Sequence, residues 1–207
     1  MMKLVNMRSL RPAVLLLCLL MTACLGGGAK NGMKYYLIDA VHADSPQIDT
    51  KDQLAIELID LHIPRYLERF QIVTRNGDNR LRFSESNQWG GNLRKNLLRI
   101  LAVNLATRLS TIDIGTPLNR SASEPDYRVQ VHMGEFELDS EGKVQLSARW
   151  QLSSADEEDL GMYHTALESD ARISEGDYDQ IVADMQSLFA GLCDQISVSI
   201  LELEGAQ

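Results

Sequence analysis

The chain predicts an α/β domain in which two long helices pack on one layer of mixed sheet. Three observations carry that reading. Apolar residues recur at helical spacing near residues 93–109 and again near 178–200, short runs elsewhere alternate with period two, and turn-forming residues separate most of these runs.

The first 23 residues have the zones of a secretory leader. Lys3, Arg8 and Arg11 make a basic start, and Ala13 to Met21 is almost wholly apolar. That run is too short for a helix to cross a hydrocarbon core, which takes roughly 20 residues. Leu20-Met21-Thr22-Ala23-Cys24 then matches a lipoprotein signal-peptidase site. Met21 stands three before the cysteine, where leucine is usual. On this reading residues 1–23 are removed, and Cys24 becomes the lipidated first residue of the mature chain. Residues 24–32 form a flexible glycine-rich tether, and residues 33–207 form a single periplasmic domain. An ordinary signal peptide cut near Ala23 and an uncleaved anchor are the alternatives.

Met33 to Ile38 reads as a first strand, and Asp39 to Asp52, with Pro46 inside it, as a polar loop. In Leu54 to Ile63 the apolar positions change phase near Leu58, so a bulge is expected there. Pro64 ends this strand, and a turn or a single helical turn runs to Phe70. Asn76-Gly77-Asp78 joins Gln71–Arg75 to Arg80–Ser84 as a hairpin. A helix capped by Ser86 or Asn87 is expected to run to about Ser110. Leu93, Leu97, Leu101, Leu105 and Leu109 form its buried stripe, with Arg94, Lys95, Arg99 and Arg108 on its other faces as solvated charges, a partner surface being the alternative.

Ile112 to Ile114 reads as a short strand. Tyr127, Val129, Val131 and Met133 alternate, and Phe136 and Leu138 continue in the opposite phase. Gly134 at the switch is a natural place for a bulge. Val144 to Leu152 alternates most cleanly and should pair with the preceding run as a long hairpin. Leu160 to Leu167 returns as another strand. Asp177 caps the strongest helix, whose buried face runs from Tyr178 and Ile181 to Ile196 and Ile200.

Composition narrows the partners. The whole chain carries −9; the leader holds three of its 20 basic residues and no acidic ones, so 17 basic against 29 acidic residues leave the mature chain at −12. That balance argues against nucleic acid or an anionic membrane face as a partner. The 184 residues after the leader suffice for one domain burying about 70 % of its unfolded surface. With Cys18 lost and Cys24 lipidated, only Cys193 remains, so no internal disulfide is available. Cys193 falls in an apolar helical stripe and reads as a small buried hydrophobe.

Nothing in the sequence points to catalysis or to a cofactor. His42, His62, His132 and His164 are scattered without metal-ligand spacing. No nucleophile elbow, phosphate loop or dinucleotide fingerprint occurs. Ser140 and Lys143 match a Ser-x-x-Lys pattern, but across a hairpin turn rather than along a helix. Asp156-Glu157-Glu158-Asp159 lacks the spacing of a calcium loop and reads as a solvated turn.

Several short motifs follow one another along the mature chain. They are Tyr35-Tyr36-Leu37, Ile63-Pro64-Arg65-Tyr66-Leu67, Asn87-Gln88-Trp89, and Asn104-Leu105-Ala106-Thr107-Arg108-Leu109. Glu135-Phe136, Gly142-Lys143-Val144, Trp150 and Tyr178-Asp179 continue the series. With the lipid signal, this series resembles the PqiC family, the auxiliary lipoproteins of MCE-type ABC transport systems. The resemblance implies a non-enzymatic subunit anchored by palmitate-type acyl chains to the periplasmic face of the outer membrane. It would work with a tunnel-forming MCE protein in lipid transport and envelope integrity, and a homo-oligomeric ring capping that tunnel is compatible with the partnership. The implied fold is layered α/β with a mixed, roughly five-stranded sheet, distantly like the amino-terminal domain of TolB. Tyr35, Tyr36, Tyr66 and Trp89 match family positions and are expected as core aromatics. A periplasmic lipoprotein that itself shuttles lipid is the alternative function.

Overall fold

The computed structural model describes residues 32–41, 54–77, 79–120 and 123–205. Cys24, the leader, most of the tether, His42, residues 43–53 with Pro46, and Asp78 lie outside the described residues. Met33–Gln207 is one compact unit.

Its strands are β1 (Lys34–Tyr36), β2 (Ile56–His62), β3 (Gln71–Arg75), β4 (Leu81–Trp89), β5 (Ile114–Gly115), β6 (Tyr127–Leu138), β7 (Val144–Ser153) and β8 (Asp159–Glu168). Its helices are α1 (Leu93–Arg108) and α2 (Tyr178–Gly205). Among the described residues, one eight-stranded mixed sheet therefore replaces the roughly five strands expected. Short β1 and β5 add parallel edges to β4 and β2, and β8 extends the other side.

The central strand is β6. One of its edges pairs antiparallel with β7 along nearly its full length. The other edge is shared, with β2 running parallel from Tyr127 to His132 and β3 meeting it at Leu138. Both expected bulges are present, as register shifts between Leu58 and Asp60 and between Met133 and Glu135. Each lets a strand change phase while its apolar side chains stay on one face. Thus Ile56, Leu58, Leu61, Val129, Val131, Phe136, Leu146, Trp150 and Leu152 are all buried under the helices.

The start of α1 is a correction. Ser86 and Asn87 do not cap it; β4 continues through Trp89, and Asn92 is the cap, its Oδ1 accepting from Lys95 N at 2.9 Å. Parallel pairing with β1 holds Asn87 to Trp89 extended, and Gly90-Gly91 supplies the break before the helix. The five-leucine stripe is buried as expected. Arg108 is not a solvated charge. It is 5 % exposed, wedged between α1 and α2 against Asp194, with Nη2 donating to the Ala190 carbonyl at 3.4 Å. Asp177 caps α2 through Gln180 N at 3.2 Å. Asn104 and Cys193 meet where the helices cross, 3.5 Å apart, and Cys193 is fully buried.

Candidate functional site

The motif residues, far apart in sequence, gather into two polar clusters. In the first, β1, β4 and the start of α2 converge. The Tyr36 hydroxyl lies 2.9 Å from Asp179 Oδ1 and 3.2 Å from Asn87 Oδ1. With one proton it donates to one of them at a time. Lys34 Nζ holds the other Asp179 oxygen at 3.1 Å. These hydrogen bonds, from Tyr36 first and Lys34 second, hold the Asp179 carboxyl below its ordinary range. Asn87 Nδ2 donates to Ser84 Oγ at 2.9 Å, which fixes the amide.

The second cluster surrounds Glu137, a carboxylate only 1 % exposed. Arg75 Nε donates to it at 2.7 Å, the Tyr66 hydroxyl lies 3.1 Å from both of its oxygens, and Phe136 N donates at 2.8 Å. Burying a carboxylate this deeply is costly unless it is paired and hydrogen-bonded, and Glu137 is both. Burial first, and the Glu137 charge second, push the Tyr66 phenol well above its ordinary value of 10. The sequence gives no warning of Glu137. Alternation sends it to the face away from the helices, and only the 3-10 turn at Arg65–Glu68 brings Tyr66 over it.

The aromatic positions divide. Trp89 is buried at 3 % exposure and Tyr36 and Tyr66 are half-buried, whereas Tyr35 is 66 % exposed and belongs to the surface rather than the core. Strand alternation explains the split: Tyr35 and Tyr36 are neighbours on β1, so one faces out when the other faces in.

Two clefts open on the surface. One, of about 740 Å³, lies between the β3–β4 turn, the β6–β7 turn and the approach to α2, and is lined by Arg75, Arg82, Asp139, Glu141, Glu175 and Tyr178. Ion pairs tie much of this lining together, Arg82 with Glu175 and Arg75 with Glu137. The other, of about 510 Å³, lies between β8 and α2 beside Met162, Tyr163 and Val198. There the Trp150 and Tyr163 rings stack at 5.6 Å, and Trp150 Nε1 donates to Ser199 Oγ at 3.0 Å. Ser140 and Lys143 lie on the β6–β7 turn and strand approach, and Lys143 Nζ donates to the carbonyls of Ser169 and Asp170, which is a structural role. The histidines are less scattered than their spacing indicates, since the His62 and His132 rings are 5.5 Å apart. Among the described residues no three His, Cys, Asp or Glu side chains are grouped to hold a metal ion.

Solved structures of similar fold include two crystal structures. One, of an uncharacterized protein, superposes with a TM-score of 0.63 at 17 % identity, covering 82 % of this chain and 99 % of that one. The other, of protein XCC0632 from Xanthomonas campestris, a member of the family model DUF330, gives a TM-score of 0.62 at 12 % identity, covering 80 % and 91 %. At these identities the likeness is one of fold. No curated protein matches by sequence. The family model for the ABC-type transport auxiliary lipoprotein component, however, matches residues 35–197, a span that takes in both polar clusters apart from Lys34 and most of the two helices. The chain therefore belongs to the family of ABC-type transport auxiliary lipoprotein components.

Proposed function

We propose that this protein is a non-enzymatic lipoprotein of the outer membrane that docks the periplasmic tunnel protein of an MCE-type ABC transport system, in the service of lipid movement between membranes. The observation that carries the reading is the family match over residues 35–197, joined to a leader that ends at Ala23, directly before Cys24. An auxiliary lipoprotein needs an acylated cysteine, and Cys24 follows an apolar run and small residues as such a cysteine does. Residues 24–32 then tether the domain of residues 33–207 close to its membrane. Leu25 is not the aspartate that retains many lipoproteins at the inner membrane, so the outer membrane is the destination. A bacterial lipoprotein carries more than one acyl chain, and two membrane signals make the stable anchor that one myristoyl chain does not.

The charged side chains of the cleft of about 740 Å³, Arg75, Arg82, Asp139, Glu141 and Glu175, suit a polar partner better than an acyl chain, so carriage would fall to the cleft of about 510 Å³ beside Met162, Tyr163 and Val198. Crosslinking in intact cells, followed by identification of the captured protein, tests the proposal. An MCE-domain protein is expected with the wild type and is lost with Cys24→Ala. Capture of unrelated proteins alone overturns it, and lipid co-purifying with the domain in native mass spectrometry favours the carrier reading.

A further inference from the structure

The register of the sheet places four basic side chains in one line. His62 of β2 lies opposite His132 of β6, His132 opposite Arg149 of β7, and Arg149 opposite His164 of β8. Their strand neighbours Leu61, Val131 and Trp150 are buried under the helices, so alternation puts the row on the opposite face of the sheet, away from them. His62, Arg149 and His164 are exposed and His132 is half-buried. Among the described residues no strand pairs with β8 on its outer edge or with β2 beyond Glu57, so the row crosses the sheet from edge to edge.

The surrounding carboxylates counter this row only at its β2 end, where Asp60 stands. From β2, Asp60 lies 3.7 Å from His62 Nδ1 but is also held by Arg94 of α1 at 3.4 Å. From β6, Glu135 is taken by Arg75 of β3 at 3.5 Å. On β7 and β8 the flanking same-face positions are uncharged. Arg149 and His164 have no ion-pair or hydrogen-bond partner among the described residues. A permanent cation thus stands unpaired between two histidines on a chain whose formal charge is −9.

We propose that this His62–His132–Arg149–His164 row is a docking surface for an extended acidic segment of a partner protein, gripped more firmly as pH falls. Strands are about 4.8 Å apart, so the row spans roughly 14 Å. An extended peptide laid across the strands presents same-face side chains about every 6.8 Å, and carboxylates at i, i+2 and i+4 cover that span. A single phosphate group reaches only a fraction of it. Burial, then Arg149, then His62 lower the proton affinity of His132, and an arriving carboxylate reverses the last two effects by countering their charge. Binding therefore takes up protons, and affinity rises as pH falls through the histidine range. The inference goes beyond the family reading and holds whichever protein supplies the segment.

The test uses full-length protein in neutral detergent and a ten-residue peptide of alternating glutamate and serine, with binding followed by fluorescence anisotropy. Affinity is expected to be about tenfold higher near pH 5.5 than near pH 7.5, and to weaken with added salt. Arg149→Gln and His164→Gln should each weaken it about three- to tenfold, and Arg149→Lys should retain most of it. Both positions are exposed, and circular dichroism confirms that the variants fold. Binding that ignores these substitutions or ignores pH overturns the proposal. So does preferential binding to phosphatidylglycerol vesicles, which would make the row a membrane contact.

Discussion

Gly142 shows how a single residue can be fixed by backbone geometry. It has φ +84°, a region that favours glycine, and a Cβ there would stand 3.0 Å from the Ile173 carbonyl oxygen. That approach is needed because Ile173 N donates to the Gly142 carbonyl at 2.7 Å, tying the β6–β7 turn to the segment before α2. Gly142→Ala is expected to cost about 1–3 kcal/mol, read as a lowered midpoint in urea unfolding. In the sequence this residue stands out only as the first of the Gly142-Lys143-Val144 motif; its contact with Ile173, 31 positions away, comes from the fold. Cys193 is the opposite case, correctly read as a buried hydrophobe from its place in an apolar stripe. Burial pushes its thiol up to about 12, so alkylation should be slow in the native protein and fast in denaturant.

At the scale of elements, α1 shows where periodicity suffices and where it fails. Leucines four apart define a stripe, and Leu97, Leu101 and Leu105 are all fully buried. Leu101→Ala should destabilise the fold by about 2–5 kcal/mol, because the removed methyl groups leave a cavity that neighbouring side chains fill only in part. Thermal unfolding measures it, and the exposed control Val103→Ala should move the midpoint far less. The beginning of the helix was not legible from capping residues, since Ser86, Asn87 and Asn92 are all good caps. What decides among them is the parallel pairing of β1 with Asn87 to Trp89, a contact over 50 residues of sequence. Arg108 was misread for a related reason: on an isolated helix it is a surface charge, and only α2 packing beside α1 buries it.

At the scale of the whole molecule, titrating groups predict a stability dome. The folded pKa of His132 lies below its ordinary 6.5, so the unfolded chain binds that proton first and stability falls as pH drops below 6.5. Asp179 adds to the loss below its ordinary 3.8. Tyr66 and Tyr127 are shifted upward from 10, so the folded state holds their protons longer and stability falls again as pH rises above 10. Calorimetry across pH should therefore place the highest Tm between these limits, and His132→Gln should flatten the acid limb near pH 6. An acid limb unchanged in that variant would assign it to other groups.

The sequence by itself determined the fold class, most strand positions, both bulges, the buried face of each helix and the family, because these follow from local periodicity and from short motifs in order. Only the tertiary structure decided the strand order, the eight-strand count, the start of α1, the burial of Glu137 and Arg108, the exposure of Tyr35 and the alignment of three histidines with Arg149. Each of these depends on which distant segment arrives beside a residue, and period-two or period-3.6 patterns carry no record of that partner. Four strands in register turn histidines that look scattered along the chain into a single row, and a one-residue slip in any of those pairings would send a member to the opposite face.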